Sequence, residues 1–366
     1  MKILIVNEGA NGNLGDQAIH EGLLALLDGA EIDRISLGVE RRNGAPTDAE
    51  GKRKILTLIK SNRLLYGALN FFRILAYNVR RYSGVKSKIK QSDKVIIGGG
   101  SLLINNSWSF PISLLMICMI CLFTRTTYGF CGISTRRERS LFVNAIFKFC
   151  LKRARFIYFR DHVSIKVVEE KYGLDARFIP DFALVQSGSR INSTFSSQRN
   201  RPAFLVNVMG PQPHGYFSDS IAYSEYISYL TELISELAAR RLLKGVVVTG
   251  GQSDIDIVAN LLAKIRHIKV DVFTPLSVKE LRSLYSSVDC VIGTRLHSAI
   301  IALGNNISSR CFNWDKKVEG FFSEIGRADL LFDCTTKVEN LITVPMGVEL
   351  DLKEYFDHLR EVVLNE

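Results

Sequence analysis

Short, mainly apolar, strand-like runs recur along this chain, separated by stretches with helical spacing. "KILIV" comes first, and "KVIIGGG", "TYGFCGI", "RFIYF" and "RFIPD" follow. After an interruption the rhythm resumes with "AFLVNVM", "GVVVTGG", "VDVFTP", "DCVIGT" and "RCFNW". Runs that do not alternate with polar residues suit strands covered on both faces, and strands spaced by helices predict parallel α/β sheets. Between two such runs, the segment from about Tyr223 to Ala239 puts Tyr226, Leu230, Leu233, Ile234 and Leu237 on one helical face. The last segment, "DLKEYFDHLREVVLNE", groups Leu352, Tyr355, Phe356, Leu359 and Val363 in the same way.

The interruption, Gln186 to Arg201, is polar and rich in Ser, Asn and Arg, which predicts a linker. The expected fold class is therefore α/β, with two doubly wound, Rossmann-like domains facing each other across a cleft. Residues 1–185 would form an N-terminal α/β domain, 186–201 the linker, 202–350 a C-terminal α/β domain, and 351–366 a helix packing back. Ligands of such sheets lie outside the carboxyl ends of the strands.

Length and composition agree, since 366 residues with 47% hydrophobic content fill two cores and exclude a disordered chain. The first residues pass at once from "MKILIV" into polar Asn and Glu, so no cleavable signal is expected. Seven scattered cysteines, mostly inside apolar runs, read as free thiols in a reducing compartment. Cys118 and Cys121 form a CxxC with no second pair beside it, and no metal-ligand cluster has sensible spacing. The apolar run Phe110–Phe123 is shorter than the ~20 residues that span a bilayer, so a buried or membrane-touching helix is expected.

The net charge of +10 is concentrated. From Lys52 to Lys90 there are eleven Lys or Arg and no acid, interleaved with aromatic and aliphatic residues. That pattern suits an anionic membrane surface or a lipid-linked anionic substrate, with Arg73, Arg80 and Arg81 among the side chains presented to it. A solvated helical face is the competing reading, and no common nucleic-acid signature is present. The expected location is cytoplasmic, peripheral at the inner face of the membrane.

Four stretches at strand ends can carry chemistry. "NEGANGNLGDQAI" offers Asn13, Gly15 and Asp16 at a glycine-rich turn into a helix, whose N-terminus attracts anions. Asp16 can equally cap that helix. Neither GxGxxG nor the P-loop Gly-Lys-Ser/Thr is present, so neither dinucleotide nor ATP is supported. "VIIGGGSLL" places Gly99, Gly100 and Ser101 where backbone N–H groups can approach a ligand, or where a turn simply needs positive φ. "YFRDHVS" ends a strand with Arg160 and Asp161, an arginine that grips an anion or pairs with its neighbour. "GTRLHSAIIALGNN" puts Arg295 and His297 where an apolar strand gives way to a helix starting near Leu296 or His297, with Thr294 a possible cap. "FNWDKKVEGFF" adds Asp315, Lys316 and Lys317 to the same domain. Arg160, Arg295, His297 and Lys317 together suit a small, multiply charged substrate.

The ordered series "NLGDQAI", "GGGSLL", "GFCGIS", "FRDHVS", "PDFAL", "GTRLHSAIIAL" and "WDKKVEGF" resembles the polysaccharide pyruvyl transferase family over nearly the whole chain. The resemblance implies a fold similar to GT-B glycosyltransferases. It implies transfer of pyruvate from phosphoenolpyruvate, as co-substrate and without a cofactor, onto a sugar as a cyclic ketal. The acceptor would be a bacterial surface polysaccharide, such as an exopolysaccharide or capsule, or its lipid-linked precursor. Matched residue by residue, the family's donor-binding arginine falls on Arg160, its Arg-Leu-His element on Arg295 and His297, and its lysine on Lys317. Trp314 stands where the family commonly has Tyr, and Lys316 where it commonly has Pro, which leaves Lys316 and Lys317 as rivals.

On this reading Arg160, Arg295, Lys317, Gly99, Gly100 and Ser101 hold the donor. Asn13, Gly15 and Asp161 face the acceptor, and His297 moves protons. Asp16 or Asp161 would orient His297 or act as a second base. A nucleotide-sugar glycosyltransferase of the same fold, or a non-catalytic glycan-binding member, remain the alternatives. The first would ordinarily want an acidic ribose-binding residue late in the second domain, and none stands out.

Overall fold

The computed structural model describes residues 1–7, 13–37, 63–104, 108–135, 138–185, 202–211, 220–342, 350 and 352–365. The chain divides into two compact units, the first comprising Met1–Glu8 and Gly29–Ile179, the second Gly9–Asp28 and Pro180–Glu366. Residues 9–28, expected in the N-terminal domain, thus group with the C-terminal unit. The expected linker, 186–201, lies outside the described residues, as do Lys52–Asn62 of the basic stretch.

The first unit is a six-stranded parallel sheet in the order β2-β1-β3-β4-β5-β6. Its strands are β1 (Lys2–Asn7), β2 (Glu31–Ser36), β3 (Lys94–Leu103), β4 (Thr127–Thr135), β5 (Ile157–Phe159) and β6 (Arg177–Phe178). The central strands are buried almost throughout, which is why they read as unbroken apolar runs. Helices α2 (Arg63–Lys90), α3 (Ser109–Thr124), α4 (Leu141–Lys152) and α5 (His162–Tyr172) belong to this unit. The apolar run Phe110–Phe123 forms most of α3; Leu114, Ile117, Cys118 and Cys121 enter the core, while Phe123 is exposed. No described helix is long and apolar enough to cross a membrane.

The second unit is also a six-stranded parallel sheet, in the order β12-β11-β10-β7-β8-β9. Its strands are β7 (Phe204–Asn207), β8 (Leu243–Val247), β9 (Val272–Phe273), β10 (Cys290–Gly293), β11 (Ser308–Phe312) and β12 (Leu331–Phe332). The chain runs outward from β7 to β9, then returns to β10 beside β7, which is the Rossmann order with its switch point between β7 and β10. Helix α1 (Leu14–Leu26) belongs here, with α6 (Ser220–Ala239), α7 (Gln252–Lys264), α8 (Val278–Tyr285), α9 (Leu296–Gly304), α10 (Lys316–Glu324), α11 (Val338–Ile342) and α12 (Lys353–Asn365). All five residues expected on the inner face of α6 are buried. On α12, Leu359 and Val363 are buried as expected, but Val362 takes the place of Tyr355, which is exposed. Arg360 of this helix donates to the Asp28 carbonyl (3.1 Å), tying it to the chain just after α1.

Candidate functional site

The switch point of the second sheet is where the Arg-Leu-His element falls. β10 is fully buried through Gly293, and α9 starts at Leu296, as the apolar pattern requires. The cap position belongs to Arg295 rather than Thr294. The Thr294 hydroxyl is instead hydrogen-bonded with Tyr226 Oη (2.8 Å) and the Asn207 carbonyl (3.3 Å). Asn207, buried at the end of β7, accepts the Arg295 N–H through Oδ1 (3.1 Å). It donates through Nδ2 to the Val247 carbonyl and to Thr249 Oγ1. Trp314 Nε1 donates to the Thr294 carbonyl (2.7 Å), so the aromatic-Asp-x-Lys element braces the turn that precedes His297.

Arg295 is partly committed within the protein. Its Nε and Nη2 donate to the two carboxylate oxygens of Asp254 (2.5 and 2.7 Å), and Asp254 is fully buried. Asp254 also accepts the Gly210 N–H (2.9 Å). This two-point pair largely offsets the guanidinium's charge, fixes its plane, and leaves its remaining donors for a ligand.

His297 is held from two sides within this unit. Its Nε2 lies 3.8 Å from Asp181 Oδ2, and Asp181 is only 3% exposed. The other Asp181 oxygen accepts the Ala183 N–H (2.9 Å), capping a single 3₁₀ turn, Phe182–Leu184. On the α1 side, a Cβ built on Gly15 would stand 2.7 Å from His297 Cγ, closer than any real contact. The helices flanking the 3₁₀ turn approach its backbone at glycines: a Cβ on Gly22 of α1 or Gly304 of α9 would collide with the Phe182 or Leu184 carbonyl. The imidazole keeps 27% of its side-chain surface exposed, enough to reach a ligand while held in place.

The other expected residues fall as follows. Asn13 caps α1, accepting the Gly15 N–H (3.0 Å) and donating to Asp16 (3.1 Å). Asp315 caps α10 by accepting the Lys317 N–H (3.0 Å), and Lys316 and Lys317 are both exposed. In the first unit Gly99 and Gly100 have φ of 81° and 103°, a backbone that favours glycine whatever it binds. Ser101, next along β3, is hydrogen-bonded with Ser134 (2.7 Å) and accepts from Arg160 Nη2 (3.3 Å). Asp161 caps α5 by accepting the Ser164 N–H (2.7 Å). The structure thus joins Arg160 to Ser101 in the first unit, and His297 to Gly15 and Asp181 in the second.

Asp181, Asn207 and Asp254 were not singled out from the sequence. Asp181 had a signal, since it is the acid of the "PDFAL" motif; Asp254, in "GGQSDID", had none beyond the glycines after β8. Among the described residues no group of three or more His, Cys, Asp or Glu is placed to hold a metal ion.

Two parallel six-stranded sheets flanked by helices define a protein of the GT-B type. Solved structures with this arrangement include the UDP-GlcNAc 2-epimerase of Methanocaldococcus jannaschii (TM-score 0.54, 9% identity, 99% of both chains). The UDP-GlcNAc 2-epimerase of Neisseria meningitidis is another (TM-score 0.52, 9% identity, 100% of both chains). At such identity the likeness concerns the fold alone. The model of the polysaccharide pyruvyl transferase family matches residues 13–316, and the chain belongs to that family. It is 23% identical to the amylovoran biosynthesis protein AmsJ of Erwinia amylovora over 399 residues, covering 96% of this chain and 92% of AmsJ. The protein is therefore a transferase with a biosynthetic role in modifying polysaccharides.

Proposed function

We propose that this protein moves the pyruvyl group of phosphoenolpyruvate onto two hydroxyls of a saccharide, forming a cyclic ketal and releasing phosphate. The observation that carries the reading is the His297–Asp181 pair at the N-terminus of α9, beside the anchored Arg295. A proton delivered to the methylene carbon of the donor leaves positive charge at C2. One sugar hydroxyl attacks C2 and gives up its proton, and the C2–O bond to phosphate breaks with its electron pair leaving on oxygen. The second hydroxyl then attacks C2 and loses its proton, closing the ketal. His297 suits this proton traffic, because imidazole as a side chain ordinarily titrates near neutral pH and the ring lies 3.8 Å from the Asp181 carboxylate. The first N–H groups of α9, the remaining Arg295 donors and Lys317 supply positive potential for the donor's carboxylate and phosphate. In the first unit, the Arg160–Ser101 pair is a second element suited to an anion.

Phosphate release from phosphoenolpyruvate, measured across a panel of lipid-linked and polymeric saccharides, tests the reading. His297→Ala should lower turnover by ~10²–10⁴ without unfolding the protein. Arg160→Ala and Lys317→Ala should each weaken apparent donor affinity roughly ten- to a hundredfold, the loss expected for a hydrogen bond to a charged group, with Lys316→Ala doing less. Phosphate release that needs no saccharide, or survives His297→Ala, would overturn it.

A further inference from the structure

Helix α2 has more apolar surface than its own fold uses. Val85 and Ile89 pack into the core of the first unit, Ile74 is buried on the same face, and buried Asn78 donates to the Ile74 carbonyl. That face is sufficient to seat an amphipathic helix. Further around the helix Phe72, Leu75, Val79 and Tyr82, spaced by three, four and three residues, form a second stripe, exposed by 65%, 42%, 68% and 39%. The stripe continues onto the first turn of α4 through aromatic contacts: Phe72 to Phe71, Phe71 to Trp108, and Trp108 to Phe142, with ring centroids 5.8–6.2 Å apart. Leu141 and Phe142 are themselves strongly exposed.

The charges on α2 all have one sign. Arg63–Lys90 contains seven Lys or Arg and no Asp or Glu. Two of these are committed to the fold. Arg81 donates to the Ser36 carbonyl (2.5 Å), and Lys88 pairs with Asp33 (2.8 Å), both on β2. Arg81, expected among the membrane-facing side chains, is therefore a fold residue. Arg73, Arg80, Lys86 and Lys90 remain exposed, and Lys86 lies over the Tyr82 ring (5.8 Å).

We propose that the outward face of α2 and the first turn of α4 dock the protein on the surface of an anionic lipid bilayer. Apolar side chains would enter the headgroup boundary while Arg73, Arg80, Lys86 and Lys90 meet lipid phosphates, the pairing of signals that reversible peripheral binding requires. A second copy of the chain is disfavoured, because a two-fold contact through this face would set its basic rows against each other. A nucleic acid would satisfy the cations but leave Leu75, Val79 and Leu141 against a charged backbone.

Flotation with vesicles of equal parts phosphatidylglycerol and phosphatidylcholine, against pure phosphatidylcholine, tests the docking surface. The full chain should float with the anionic vesicles and not with the neutral ones. Raising salt from about 0.1 M to about 1 M, which shortens the screening length from about 10 Å to about 3 Å, should release it. Arg73→Gln/Arg80→Gln/Lys86→Gln should lower partitioning about a hundredfold, at roughly fivefold per charge. Phe72→Ser/Val79→Ser should also lower it; both changes lie in solvent, so the melting temperature should hold. Equal flotation with neutral vesicles, or unchanged partitioning in both variants, overturns the proposal. So does a wild-type dimer that ignores vesicles and becomes a monomer in Phe72→Ser/Val79→Ser. None of these residues belongs to the proposed transfer chemistry, so phosphate release with a water-soluble acceptor should stay normal in every variant.

Discussion

Gly15→Ala isolates the placement of His297 from the stability of the fold. The new methyl group would lie 2.7 Å from His297 Cγ and 2.8 Å from Nδ1, where ordinary contact begins at 3.4 Å. The imidazole or α1 must therefore yield by about 0.7 Å, and α1 is pinned where Gly22 meets the Phe182 carbonyl. The ring is the softer partner, and moving it changes its 3.8 Å approach to Asp181. A misplacement near 1 Å at a reacting group costs on the order of 10²-fold in rate, so turnover should fall roughly 30- to 100-fold. Stability should move little, because alanine in a helix gains ~0.5–1 kcal/mol over glycine, offsetting part of the crowding. The assay pairs phosphate release with thermal unfolding and with the His297 ring proton shifts by NMR. Normal turnover with an unshifted His297 resonance would refute the claim that α1 positions the ring. A collapse in melting temperature would instead mean that Gly15 serves the fold.

Two further outcomes follow from the packing. Asp254→Ala leaves the Arg295 guanidinium without its buried partner and should destabilise the protein by about 3 kcal/mol, the low end for breaking a buried pair because Arg295 keeps 28% exposure. The melting temperature of the second unit should drop by several degrees, and an unchanged value would show the pair to be dispensable. Six of the seven cysteines are buried and Cys334 is not. Burial pushes Cys121 and Cys290 up to about 12 and Cys118 and Cys131 well above the usual thiol range. Thiolates form only above the pKa, so at pH 8 a thiol reagent should label one cysteine of the native protein quickly and all seven after denaturation.

The sequence by itself determined the sheets and the junction that carries the chemistry. A strand buried on both faces is apolar at nearly every position, so the central strands β1, β3, β4, β7 and β10 stand out as apolar runs. The four sheet edges, β2, β6, β9 and β12, are only partly buried, and there the constraint relaxes, so "EIDRIS" of β2 shows no apolar run. The helix start after "CVIG" was legible from the same pattern: the apolar run ends, and Thr294, Arg295 and His297 are the first polar residues after it. Only tertiary structure decided what surrounds them. Asp254 lies 41 residues from Arg295 and Asp181 over a hundred from His297, separations at which local spacing carries no signal. Helix α1, beside β1 in the chain, belongs instead to the second unit, where glycine-backed contacts set it against the turn holding Asp181. The pattern of α1 says that one face is buried, but not against which unit, because an apolar stripe specifies burial and leaves the partner to shape.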